Sequence, residues 1–418
     1  MKGRETMTIA VSGCAIPSRR PLHATGRSRH QGLVDFDGHI LEPPDLWVNY
    51  IDPKFRDRAI RVRTNDEGLE YLEYDGKPSK YIGAGGLSLM GCMHHDDPMA
   101  LARDPESTYL GEHPFGSMDP GERIKMLDAE GIDAVALYTT IGLLWESEVD
   151  DPALAQAYTT AYNRWICEFC SGSPRLLPIA HISLGDADAA AKELKRAVRE
   201  GARGAMISTF THEKLSVADK GYDRFWAMAQ DLGVPVAIHP VIEPRWASDG
   251  RFGNPKAFED FSFVMGNLVA AGHGVRRQFA SLFDHALFDR FPTLKIMVVE
   301  SGGGWIGHYL DRMDALYERT PVGKGAQLKQ KPSDYLRAGR FIMSADPDER
   351  TVPDLAARYG DDNFVWASDF PHFDHTPAYI ESLDGLLDLL PPGTRGKVAG
   401  GNAKKLYNID ARAVVGAA

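Results

Sequence analysis

From residue 33 onward, short apolar runs alternate with amphipathic helical stretches, and this rhythm limits the possible folds more than any other feature. The runs are "LVDFD" (33–37), "DAVALYT" (133–139), "LLPIAHI" (176–182), "RGAMIS" (203–208), "VPVAIH" (234–239), "KIMVVE" (295–300), "RFIMS" (340–344) and "FVWASD" (364–369). All eight have the length of buried strands. Between them, "DPGERIKMLDAEG", "DADAAAKELKRAVREG" and "YDRFWAMAQDLG" each close on glycine, as a helix C-terminus prefers. Eight β–α units in a chain of 418 residues predict an α/β fold, a (β/α)8 TIM barrel. A doubly wound sheet is the rival, but no G-x-G-x-x-G follows any of the runs. The Gly-rich "GAGGLSLMG" (83–91) neither follows a strand nor opens a convincing helix.

One connection breaks the rhythm. After the first run, roughly ninety residues pass before the second. Within them "RAIRVRTNDEGLEYLEYDGKPSKYIG" (58–83) alternates like a hairpin with "NDEG" as its turn. This predicts a β-rich insertion at about 48–120 after strand one, acting as a lid, because long loops in compact domains are usually functional. No repeat or linker argues for a second domain, so the barrel is expected over 33–410 with a tail at 411–418. The first 32 residues are basic and rich in Ser, Gly and Arg, and they read as a flexible arm. Their apolar patch "MTIAVSGCAI" is followed by residues that fit a signal-cleavage site poorly.

The formal net charge of −11 gives no electrostatic support for a nucleic-acid partner. No run approaches the roughly 18 apolar residues of a membrane span, and cytoplasm is the default location. A small-molecule substrate is expected; were it anionic, a bound divalent cation would supply the positive charge it needs. Cys167 and Cys170 form a C-x-x-C in "AYNRWICEFCSG", but its helical periodicity and the lack of a second pair favour two small apolar residues on a helix face.

In a barrel of this kind the chemistry sits at the C-terminal ends of the strands. Strand one ends in Asp37-x-His39, strand five in His239, strand six in Glu300 and strand eight in Asp369. Side chains two apart on a strand point the same way, so Asp37 and His39 share a side. Asp35 reads instead as a residue that holds the strand or supports a ligand. His181 lies one residue before the end of strand three, and Ser208 ends strand four, where it cannot bridge two metals. Two imidazoles and two carboxylates converging from separate strand tips suit Zn²⁺ or Mn²⁺.

The four segments "VDFDGH", "VAIHP", "ESGGGWIGHYLDRMD" and "WASDFPH", in this order, resemble the amidohydrolase-related family that includes aminocarboxymuconate semialdehyde decarboxylase and the aromatic-acid decarboxylases. The resemblance covers roughly residues 33 to 410. It implies a metal-dependent TIM barrel, a homodimer, and metal ligands at Asp37, His39, His239 and Asp369. Strand four lacks the lysine or glutamate that bridges two metals in binuclear relatives, so one divalent ion is expected, Zn or Mn. Strand six carries Glu300 where characterised decarboxylases of the family have histidine. Glu300 is therefore a further ligand, a base beside the ligands, or an anchor for the glycine loop.

A divalent metal either lowers the pKa of bound water, giving hydrolysis of an amide, ester or C–C bond, or clamps substrate oxygens as a Lewis acid. In the first case Asp369 takes the water's proton, with Glu300 as a second base; in the second it protonates the ring carbon as CO2 leaves. The reading adopted is non-oxidative decarboxylation, or a related C–C cleavage, of an aromatic or cyclic acid. Hydrolysis is the alternative, and a non-catalytic metal-binding barrel the third. Trp47, Tyr138, Trp305 and Phe373 suit a planar substrate, and His181 and His372 are further candidates to touch it. The lid histidines His94 and His95 read as solvated polar surface.

Overall fold

The computed structural model describes residues 8–9, 15–16, 26–244, 246–247, 264–319 and 328–409. The eight predicted strands all form: β1 (Leu33–His39), β2 (Ile132–Tyr138), β3 (Leu176–His181), β4 (Gly204–Ile207), β5 (Val236–Ile238), β6 (Ile296–Val298), β7 (Phe341–Ala345) and β8 (Phe364–Trp366). They pair in parallel and in sequence order from β1 to β8. Every residue of β1 is buried, as are those of β3 to β8, because one face looks into the barrel and the other is covered by helices. This is why the strands read as continuous apolar runs.

The three helical stretches form and close at their glycines. Asp119, Asp151 and Asp186 accept backbone N–H groups at the starts of Pro120–Glu130, Pro152–Cys170 and Ala187–Glu200. Gly131 and Gly233 take left-handed φ values of 81° and 66° at C-termini, where a Cβ would be strained. Cys167 and Cys170 are free and buried on one of these helices, as apolar packing residues.

The seam between β8 and β1 closes through the residues that follow the strands. Asp369 N–H donates to Asp37 O (2.9 Å) and His39 N–H to Phe370 O (2.7 Å). Asp35 completes the seam: it accepts from Ser368 N (2.9 Å) and Ser368 Oγ (2.6 Å). Burial pushes the Asp35 carboxyl up to about 6 despite these donors. Its titration therefore contributes stability that is full below the ordinary carboxylate pKa and is lost as pH rises from there through about 6. Asp35→Ala leaves the buried Ser368 N–H without its acceptor and should cost roughly 1–3 kcal/mol. Urea unfolding of the variant checks this, and an unchanged midpoint would contradict it.

The sequence expectation of a hairpin after strand one is met by an antiparallel sheet of Arg61–Thr64, Glu70–Tyr74 and Lys77–Pro78. Arg58 fixes it to the barrel, bridging Asp75 of the sheet and Asp151 at a helix start. Further along the insertion, Met93 N–H donates to Pro371 O just beyond Asp369 (3.2 Å), so this segment reaches the catalytic end of the barrel. Residues 26–32 are tied down as well, with Ser28 N–H bonded to Glu130 O (3.0 Å) and Ser28 Oγ to Asp384 (2.5 Å). Most of the N-terminal arm and the 411–418 tail lie outside the described residues. Among the described residues no helix is long and apolar enough to cross a membrane.

Candidate metal centre

A register shift between Asp35 and Gly38 bends the end of β1. Gly38 is required there, because a Cβ would come within 2.8 Å of Val135 and 2.9 Å of Asp35. Beyond the bend, Asp37 and His39 reach the barrel axis and meet His239 and Glu300, and one donor atom from each of the four lies within 4.8 Å of all the others. His39 Nε2 is 3.3 Å from Asp37 Oδ1, and His239 Nε2 is 3.7 Å from Asp37 Oδ2 and 3.2 Å from Glu300 Oε2. Asp369 Oδ1 lies 3.2 Å from His39 Nε2.

These atoms have the properties of metal ligands. Asp37 Oδ1 and Oδ2, His39 Nε2, His239 Nε2 and Glu300 Oε2 are all buried without a hydrogen-bond partner. Such groups are costly in a protein interior unless something else satisfies them. The histidine tautomers agree. His39 Nδ1 faces Thr139 O and His239 Nδ1 faces Pro240 O, each at 2.7 Å, so both Nδ1 atoms carry the proton. Each Nε2 then offers its lone pair to the cluster. The residues fit a divalent cation.

Charge within the cluster is strongly redistributed. Burial pushes the Glu300 carboxyl well up, and the nearby Asp369 charge pushes it further. Burial raises Asp37 and Asp369 too, but neighbouring imidazoles outweigh it: His239 and His39 hold Asp37 low, and His372 and His375 hold Asp369 well below the usual carboxylate range. A bound cation replaces protons in such a cluster. Glu300 and Asp369 also share an uncommon backbone, with left-handed φ values of 43° and 52°. Non-glycine residues in that region cost on the order of 1–3 kcal/mol each and concentrate at functional sites.

Around the cluster, the structure sorts the remaining candidates. Tyr138 is brought in, its ring 5.3 Å from that of His239 and 5.9 Å from that of His39. His372 is brought in more closely, with its ring 4.2 Å from that of His39, Nδ1 3.0 Å from Asp369 Oδ1 and Nε2 3.0 Å from Thr140 Oγ1. Trp47 is not. It is buried in the core against Tyr158, because its short helix Leu46–Tyr50 leans on the helix Pro152–Cys170. His181 is engaged elsewhere, paired with Glu146 (3.3 Å), which also binds Ser208 Oγ at the end of β4. Trp305 packs on Phe279 and Tyr309. Phe373 packs against a small apolar group of the insertion, Leu89, Cys92 and Leu101. His94 is half-buried with its ring 6.2 Å from that of Phe370, whereas His95 is exposed.

Several residues beside the cluster were not singled out in the sequence. His375 Nδ1 is 2.6 Å from Asp369 Oδ2, and its Nε2 is 3.4 Å from Asp346. Glu349 accepts from Gly303 N (2.7 Å) and Gly304 N (3.1 Å), so it, rather than Glu300, anchors the glycine loop. Glu42 is fully buried and binds the loop after β2. Only "HFDHT" beyond Asp369 gave a hint, a histidine-rich run at a strand end. The loops after β2, β4 and β5 also flank an open cleft of about 420 Å³, lined by Phe210, His212 and Trp246 among others, and no residue of the cluster lines it.

Comparison with known proteins agrees with this architecture. The family model described as Amidohydrolase matches residues 35–409. The gamma-resorcylate decarboxylase of Polaromonas sp. (strain JS666 / ATCC BAA-500) is 25% identical over 300 residues, covering 69% of this chain and 87% of that protein. Among solved structures, an amidohydrolase of Mycobacterium avium subsp. paratuberculosis K-10 superposes with a TM-score of 0.74 at 21% identity, covering 91% of this chain and 99% of its own. The dihydroxybenzoic acid decarboxylase of Polaromonas sp. JS666, solved with manganese and the inhibitor 2-nitroresorcinol, gives 0.62 at 19% identity, covering 92% and 99%. With its eight-stranded barrel, its ligand cluster at the strand ends and a family match over residues 35–409, this protein belongs to the amidohydrolase family.

Proposed function

We propose that the chain is a manganese-dependent decarboxylase of an aromatic carboxylic acid. The observation that carries this reading is the set of buried, unpartnered donor atoms on Asp37, His39, His239 and Glu300, set beside an Asp369 flanked by two imidazoles. Asp37, His39, His239 and Asp369 would hold the ion, with Glu300 as a further ligand. Three carboxylates and two imidazoles make an oxygen-rich shell of more than four donors, which suits Mn²⁺ better than tetrahedral Zn²⁺. The relationship to gamma-resorcylate decarboxylases supports the substrate class. When bound, the metal supplies a Lewis acid that clamps the oxygens of the substrate.

The protein's own residues supply the proton. The Thr140 hydroxyl donates its only proton to Ile40 O (2.8 Å), so its oxygen accepts from His372 Nε2. His372 Nδ1 in turn faces Asp369 Oδ1, and a further proton is held between these two atoms. Asp369 delivers that proton to the ring carbon that bears the carboxylate. The C–C bond then breaks, its electron pair returns to the ring, and CO2 leaves. Tyr138 packs against both metal-binding imidazoles and is itself fully buried, its hydroxyl turned to Tyr407 in the barrel interior, so it supports the ligands from below.

Metal content tests the reading. One divalent ion per chain is expected after purification; chelation should abolish turnover of a hydroxybenzoate, and one equivalent of Mn²⁺ should restore it. Two ions per chain, or turnover indifferent to chelation, would contradict the proposal.

A further inference from the structure

Three residues beyond His39, the chain turns at Glu42 before the Pro-Pro pair at 43 and 44. Glu42 is completely buried, yet it belongs neither to the ligand cluster nor to the acid pair. Its carboxyl faces only donors: the Thr139 hydroxyl and the backbone N–H groups of Thr140 (3.2 Å), Ile141 (2.9 Å) and Gly142 (3.4 Å). Four donors converging on one carboxyl satisfy its ionised form, and they define the path of the loop that carries them. Gly142 is part of the same fit, because a Cβ there would come within 2.3 Å of Thr139 Oγ1.

That loop, residues 139–142, touches the active site twice. The Thr139 carbonyl holds His39 Nδ1 (2.7 Å), which fixes the imidazole so that Nε2 looks into the metal cluster. The Thr140 hydroxyl holds His372 Nε2 (3.0 Å), which orients Nδ1 toward Asp369. One buried carboxylate thus sets both the ligand histidine and the proton-bearing histidine, although it touches neither.

We propose that Glu42 is a positioning residue which, through the loop 139–142, sets the metal affinity of His39 and the orientation of the His372–Asp369 acid. The arm that concerns the acid rests on the proposed reaction; the arm that concerns the metal does not. Partners of metal-bound histidines typically contribute about 10- to 100-fold to metal affinity. In Glu42→Gln an amide N–H₂ group faces the loop donors, so the loop moves and both contacts loosen.

Mn²⁺ titration of the chelated protein and steady-state kinetics, run on the same variants, test this. Glu42→Gln should raise the Mn²⁺ dissociation constant by roughly 10- to 100-fold and lower kcat at saturating metal. Thr140→Val removes the hydroxyl's contacts to His372 and Ile40 O but leaves the Thr139 carbonyl on His39, so it should lower kcat and leave Mn²⁺ affinity unchanged. The double variant should lose no more kcat than the worse single variant, because residues acting along one chain of contacts are not additive. Should Glu42→Gln fail to fold, Thr139→Val removes one of the carboxylate's donors and should weaken Mn²⁺ binding in the same direction, with Thr139→Ser restoring it. Unchanged Mn²⁺ affinity in folded Glu42→Gln or Thr139→Val, or additive losses of kcat, would overturn the proposal. If the wild-type chain releases no CO2, the reaction assigned above fails, and the Mn²⁺ titrations alone still decide the role of Glu42.

Discussion

His239→Ala is expected to lose its metal and its activity together while remaining folded. The residue directly follows β5, its Nδ1 is held by Pro240 O, and its Nε2 faces Asp37 and Glu300. It therefore supplies coordination, and its packing is against the site rings of Tyr138 and His39. Removing a partner that merely orients a ligand typically costs 10- to 100-fold in metal affinity, so loss of the ligand itself should cost at least about a hundredfold. Removal of the imidazole also leaves Asp37 without one of the two neighbours that hold it ionised, which weakens the site further. Elemental analysis and circular dichroism on the same sample check the prediction. A folded variant with full metal content would remove His239 from the site.

Asp369→Asn should lower kcat by about 10² to 10⁴, the usual contribution of a positioned acid or base. Asparagine tolerates the left-handed backbone that Asp369 adopts, so the substitution tests chemistry rather than folding. It removes the carboxylate that His372 and His375 hold in its ionised state, and with it the atom that passes the proton to the ring. Kinetics with saturating Mn²⁺ separate the loss of the acid from any weakening of metal binding. An unchanged kcat at full metal occupancy would place the proton donor elsewhere.

Much of the framework was legible because it depends on local pattern. Strands such as "DAVALYT" and "KIMVVE" are apolar on both faces in a barrel, so short continuous runs marked them. The two-residue period of a strand placed Asp37 beside His39, and strand ends selected His239, Glu300 and Asp369. What the pattern missed depends on contacts between distant segments. Glu42 follows a strand in an irregular loop, and its partners lie some hundred residues away. Glu349 and Asp346 come from the loop after β7, and His375 from the loop after β8, where no periodicity says which way a side chain points. The same reason explains the aromatic candidates. Trp47 and Trp305 sit near site residues in the sequence, but the packing of their helices turns them into neighbouring cores. His181 lies at a strand end like the ligands, yet Glu146 holds it apart in a pair of its own.

The central claim is that this barrel removes a carboxylate from an aromatic ring. It is tested most directly by measuring CO2 release from the Mn²⁺-loaded enzyme against a panel of hydroxybenzoates and unsaturated dicarboxylates, with simple esters, amides and ring-cleavage diketones assayed in parallel. The account predicts metal-dependent CO2 release from at least one hydroxybenzoate, abolished in Asp369→Asn. Turnover of the esters, amides or diketones alone, with no CO2 from any acid, would contradict it and make the enzyme a hydrolase.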